Sequence, residues 1–181
     1  SCKTEPVASP IPAYFYVTAP DLTASLNLTK TTEDGKNLSG WKFGIYSDSG
    51  CSNLISGPHT TDANGKISLT DLTAGTVYVK ELGHTDSTIN ALYSCSSTNP
   101  QKVVLTAGET AKVGFHNKLN TGDVKLVKQT NTGKNLVGWL IGLYYDSACT
   151  KPVSGSPFTT GTNGTITVSG LKPGTLYAKE I

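Results

Sequence analysis

The chain has 181 residues, of which 36% are hydrophobic, 8% aromatic and 15% charged. A net charge of +2 with no basic cluster argues against a nucleic-acid surface, and no apolar run approaches the roughly 20 residues of a membrane-spanning helix. Nineteen glycines, many threonines and serines and no methionine favour short strands and turns over helices.

Residues 1–24 precede the first recognisable unit. Their text SCKTEP resembles SCSSTNP around Cys95. They read either as the tail of a preceding domain or as strands that complete a later one, on the same chain or on a neighbouring molecule. From Leu26 the chain alternates apolar and polar in LNLTK, turns at GKNL, and enters the apolar run WKFGIY. Asn64-Gly65 lies between alternating runs, a hairpin signal. Ala74-Gly75 marks a second turn before TVYVKEL. Ala107-Gly108 divides KVVLTAGETAKVGFHNKL into two strands. At least six short strands in about 95 residues, with no helical period, indicate a β-sandwich.

The text then repeats. LVKQTNTGKNLVGWLIGLYYDSACTKPVSG, from Leu126, matches LTKTTEDGKNLSGWKFGIYSDSGCSNLISG, from Leu28. TTGTNGTITVSGLKPGTLYAKEI, from Thr159, matches TTDANGKISLTDLTAGTVYVKEL, from Thr60. The offset of about 98 residues is one domain length. The expected organisation is a first domain over residues 25–119 and a second over 120–181 that lacks its last strands.

Three inward stripes end in polar residues. Read with a period of two, Leu26, Leu28 and Lys30 share a face, as do Val77, Val79 and Glu81, and Val113, Phe115 and Asn117. The second copy repeats two of them, with Val124, Leu126 and Lys128, then Leu176, Ala178 and Glu180. The matching asparagine would fall beyond residue 181. Singly, these residues are ordinary: a lysine snorkels, a glutamate is solvated, an asparagine caps a turn. A buried ion pair is a further structural reading, and a costly one. Together they allow chemistry. Burial favours a neutral amine on lysine and the acid form of a carboxyl. The amine can attack the asparagine carboxamide while the acid shuttles protons and ammonia leaves. The product is a neutral amide between Lys30 and Asn117.

The stretches KTTEDGKNLSGWKFGIY, TTDANGKI, LTAGTVYVKE and FHN resemble the Cna B-type domains of Gram-positive surface adhesins and pilins. The resemblance spans all of the first copy and the existing part of the second. It implies tandem all-β, prealbumin-like (inverse immunoglobulin) sandwiches, the second truncated. It implies Lys30 as the isopeptide lysine, Glu81 as the catalytic acid and Asn117 as the partner, with Lys128 and Glu180 as second-copy equivalents. The implied function is a stalk module, extracellular and cell-wall-anchored, with neighbouring domains of the same surface protein as partners. No cofactor is implied, and the only chemistry is one self-catalysed turnover. Trp41 and Trp139 stand where the family often has alanine, a departure expected to alter packing near the second strand more than the chemistry. A Lys30–Asn117 link would close a loop of roughly 88 residues, and tension would then bypass most of the domain.

Cys51 and Cys149 hold the same place in the two copies, and Cys95 follows the glutamate strand. Cys51–Cys95 is a disulfide candidate, with two free thiols as the equal alternative, because sequence does not give connectivity. If residues 1–24 complete the second copy, Cys2 could meet Cys149, and Asp21 would stand in for the absent asparagine. His59, His84 and His116 show no metal-ligand spacing. The alternative function is a ligand-binding module that grips a host protein or glycan through loops, with Tyr93, Tyr144 and Tyr145 as exposed aromatics. A transthyretin-like hydrolase would need a histidine- and arginine-lined interface that this composition does not supply.

Overall fold

The computed structural model describes residues 22–181. The readings placed on Cys2, on Asp21 and on nearly all of the 1–24 segment lie outside the described residues.

The first half contains eight strands: β1 (Thr23–Thr32), β2 (Trp41–Tyr46), β3 (Leu54–Thr60), β4 (Lys66–Thr73), β5 (Gly75–His84), β6 (Tyr93–Cys95), β7 (Gln101–Leu105) and β8 (Thr110–Leu119). Alternation defines β1. Ala24, Leu26, Leu28, Lys30 and Thr32 are buried on one face, and the residues between them are more exposed. Two four-stranded sheets result, with orders β4-β1-β8-β6 and β3-β2-β5-β7. β1 and β8 run parallel, and the other neighbours are antiparallel. Leu26, Leu28, Phe43, Ile45, Val79 and Phe115 fill the space between the sheets. Each contributes about 1.5–3 kcal/mol by burial, and the Phe43 and Phe115 rings pack at a tilt of 57° with centroids 5.0 Å apart.

Asn64-Gly65 is a tight turn, but it does not join paired strands as a hairpin would. Asp62 and Lys66 close it, with Asp62 N–H donating to Lys66 O at 3.0 Å. The flanking strands then separate, β3 to one sheet and β4 to the other. The turns at Ala74-Gly75 and Ala107-Gly108 also cross between sheets. The absence of a helical period concealed α1 (Ser87–Leu92), whose six residues are too few to show one. Asp86 caps it, accepting from Thr88 N–H and Ile89 N–H.

The second half contains β9 (Gly122–Val127), β10 (Leu140–Tyr144), β11 (Phe158–Thr159), β12 (Thr165–Leu171) and β13 (Tyr177–Glu180). They form the sheets β12-β9 and β11-β10-β13, around Ile141, Leu143, Val153, Ile166, Val168 and Leu171. These are the counterparts of β1–β5. The stripe read as inward on β13 is not buried: Leu176 is half-buried, and Ala178 and Glu180 are exposed. The corresponding Val77 and Val79 are buried because Val113 and Phe115 of β8 share their cluster. Among the described residues of this half there is no such strand.

The Cys51–Cys95 disulfide is absent. Both are half-buried free thiols, as is Cys149. Register explains why. Cys95 sits opposite Asn117, near Glu81, which pairs with Phe43. Cys51 lies beyond Tyr46, past the far end of the same strand, too distant for the roughly 4.4–6.8 Å Cα separation of a disulfide.

Candidate functional site

Lys30, Glu81 and Asn117 meet at one buried point. Lys30 on β1 and Asn117 on β8 share a sheet, whose parallel register sets Lys30 opposite Phe115 and Thr32 opposite Asn117. Glu81 comes from β5 in the facing sheet. Lys30 Nζ lies 3.1 Å from Glu81 Oε2. Asn117 Nδ2 donates to Glu81 Oε1 at 2.7 Å. The carboxylate thus bridges an amine and a carboxamide. Lys30 is 0% exposed, Asn117 1% and Glu81 7%.

The site is under-satisfied. Lys30 Nζ, Glu81 Oε2 and Asn117 Oδ1 are buried without a hydrogen-bond partner, so the Lys30–Glu81 approach is an ion pair without good hydrogen-bond geometry. Native interiors rarely leave such atoms together, and burying each ion costs several kcal/mol. Burial pushes the Lys30 ammonium below its ordinary 10.5, with the negative charge of Glu81 pulling the other way.

Two neighbours of the site were not legible as such. Asn99 grips the Glu81 backbone, accepting from its N–H at 2.9 Å and donating to its carbonyl at 3.2 Å. The other is Trp41. Its ring lies under Lys30 Nζ, with 4.6 Å to the centroid. Trp41 Nε1–H donates to Asn37 O at 2.7 Å, and its edges meet His84 and Tyr93. The repeat carries a signal for it, since a tryptophan recurs at or just before the start of the second strand in each copy. Tyr93, read as an exposed aromatic, is buried. Its hydroxyl donates to Asp34 Oδ1 at 2.9 Å and accepts from Asn37 Nδ2 at 3.0 Å.

The second half holds a related arrangement. Lys128 Nζ lies 2.7 Å from Glu180 Oε2 and 4.1 Å from the Trp139 ring centroid. It is more open, with side-chain exposures of 17% for Lys128 and 48% for Glu180. The histidines lie apart. His59 contacts Ser56 Oγ at 2.8 Å, His84 the Ser39 carbonyl at 2.6 Å, and His116 Thr31 Oγ1 at 2.9 Å.

Residues 24–119 match the family described as SpaA, prealbumin-like fold domain. The chain belongs to this family. Its prealbumin-like fold accounts for the two facing sheets and for the adjacent, parallel first and last strands. No curated protein matches the chain. Among solved structures, it is similar to the Bacillus anthracis TIE protein, with 21% identity and a TM-score of 0.61 over 88% of this chain and 31% of that one. A streptococcal ancillary pilin is 23% identical, with a TM-score of 0.46 over 88% of this chain and 54% of that one. The shaft pilin SpaA of Lactobacillus rhamnosus GG is 16% identical, with a TM-score of 0.43 over 88% and 87%. The first of these likenesses shows the fold alone. The chain spans about a third of the first protein's length and about half of the second's.

Proposed function

We propose that residues 25–119 are a structural stalk module of a Gram-positive surface protein or pilus, closed by a self-formed amide between Lys30 and Asn117. The observation that carries this reading is the buried contact of Lys30, Glu81 and Asn117, whose reactive atoms have no hydrogen-bond or ionic partners outside the group. A proton passes from the Lys30 ammonium to Glu81 and leaves an amine and an acid. Rotation of the Asn117 amide presents Oδ1 to that acid, which polarises the carbonyl. The amine nitrogen bonds to Cγ. Glu81 then carries a proton from that nitrogen to the departing Nδ2, and ammonia leaves. One C–N bond forms and one breaks, and Glu81 ends with the proton it took from the ammonium. The neutral product removes the cost of the buried ion pair.

Residues 120–181 are a second module of the same kind. Its Lys128 and Glu180 are two of the three members of an equivalent site whose asparagine strand is not among residues 120–181. The partners are adjoining modules of the same surface assembly, and the setting is extracellular and wall-anchored.

The intact mass of the denatured, reduced chain tests the reading. The expected mass is one ammonia below the sequence value, restored in full by Glu81→Ala. A wild-type mass equal to the sequence value would overturn it.

A further inference from the structure

Resting on the amide-forming reading above, we infer that Trp41 is a positioning residue for that reaction, a fixed aromatic face that sets the lysine nitrogen against Glu81. The same role falls to Trp139 for Lys128.

The ring is held from several sides. Its backbone N–H donates to Thr61 Oγ1 at 3.0 Å, and that hydroxyl donates to Leu38 O at 2.7 Å. The indole N–H is tied to Asn37 O. His84 and Tyr93 meet the ring at 5.1 and 5.9 Å, both edge-on. Trp41 is 1% exposed. A flexible lysine therefore lies against a surface that cannot yield. The face attracts an ammonium but offers no strong hydrogen-bond acceptor. Nζ is thereby kept out of water and left with Glu81 as its ionic partner.

The second half separates this role from the packing of a finished sandwich. There Trp139 Nε1–H donates to Asn135 O at 2.7 Å, and its backbone N–H donates to Thr160 Oγ1 at 2.9 Å, which donates to Leu136 O at 2.6 Å. The hydrogen bonds that tie the indole are the same, residue for residue, while the edge-on ring contacts of His84 and Tyr93 have no counterpart at Trp139 among the described residues. Lys128 still lies over the ring and against Glu180, although no β8-like strand is present among the described residues and both charged side chains are partly open to solvent. The tryptophan, lysine and glutamate assemble without the asparagine strand.

The test follows ammonia loss by mass spectrometry at successive times after a pulse of cell-free synthesis of wild type, Trp41→Phe and Trp41→Leu, so that each chain is caught before its amide closes. Phenylalanine keeps a face, whereas leucine keeps apolar bulk without one. The expected result is about ten-fold slower closure in Trp41→Leu, from a lysine nitrogen no longer held in line with Glu81 and Asn117, with Trp41→Phe recovering most of the rate. Equal rates in all three, or equal slowing in both variants, would overturn the inference. No ammonia loss in wild type would instead overturn the amide reading itself. If Trp41→Leu fails to fold, Trp139→Leu is compared with wild type for acylation of Lys128 by an amine-reactive ester, mapped by peptide mass. Labelling is expected to rise several-fold, and unchanged labelling would overturn the inference.

Discussion

Asn99 holds Glu81 by both backbone polar groups, from 18 residues further along the chain. The contact resembles one rung of a sheet, made by a side chain. It fixes the height of β5 at the residue that bridges Lys30 and Asn117. We expect Asn99→Ala to cost about 1–3 kcal/mol, since two backbone groups lose their partners. It should also slow amide formation. Urea unfolding in a Glu81→Ala background isolates the stability term, and time-resolved mass of the single variant gives the rate.

The amide should dominate the stability of the first module. Comparing wild type with Asn117→Ala is expected to show a loss of about 4–5 kcal/mol, the loop-closure value for roughly 88 residues. Asn117→Ala keeps the Lys30–Glu81 pair. Removing only its acid, as Glu81→Ala/Asn117→Ala, strands a buried ammonium and should cost about 3–5 kcal/mol more. Chemical denaturation of the three proteins checks the order.

The unlinked module should depend on pH through Lys30. Its folded pKa lies below 10.5 because burial disfavours the charge. Between the folded value and 10.5 the unfolded chain holds more protons, so stability rises with pH there. Below the folded value the penalty is present in full. Asn117→Ala should therefore gain stability towards pH 10.5 relative to Asn117→Ala/Lys30→Met. The linked wild type should lack this component, because an amide does not titrate in that range. Unfolding curves at several alkaline pH values read the difference.

Two glycines with similar backbones should respond differently. Gly65 and Gly108 both have positive φ, +72° and +76°. A side chain on Gly108 meets open space, and alanine there should cost about 1–2 kcal/mol for the left-handed conformation. A side chain on Gly65 would press on the carbonyl oxygen of Lys30, whose own N–H donates to Gly65 O at 2.7 Å. Gly65→Ala should cost more and should delay ammonia loss as well. Thermal melts and mass measurements on both variants test the contrast.

Much of this was legible because strands alternate strictly. The period of two put Lys30, Glu81 and Asn117 at the ends of inward stripes, and all three are buried. The same rule failed on β13, because alternation gives a face but burial needs a partner sheet. Turn chemistry gave the position of Asn64-Gly65 but not the sheet that each flank would join. Cys51 and Cys95 stayed open between a disulfide and free thiols because neither composition nor spacing says which end of the sandwich a loop occupies. Asn99 carried no pattern at all: a side chain gripping a backbone leaves no periodic trace.

β1 and β8 lie side by side and parallel, so the two ends of the first module leave in opposite directions from neighbouring strands. For a chain pulled at both ends, this geometry fixes how much length can be released. An unlinked module would pay out the segment between Lys30 and Asn117, about 300 Å at full extension. A linked one would hold that slack permanently. The amide would then act as a setting of reach, holding this module's share of any pulled assembly at a fixed length.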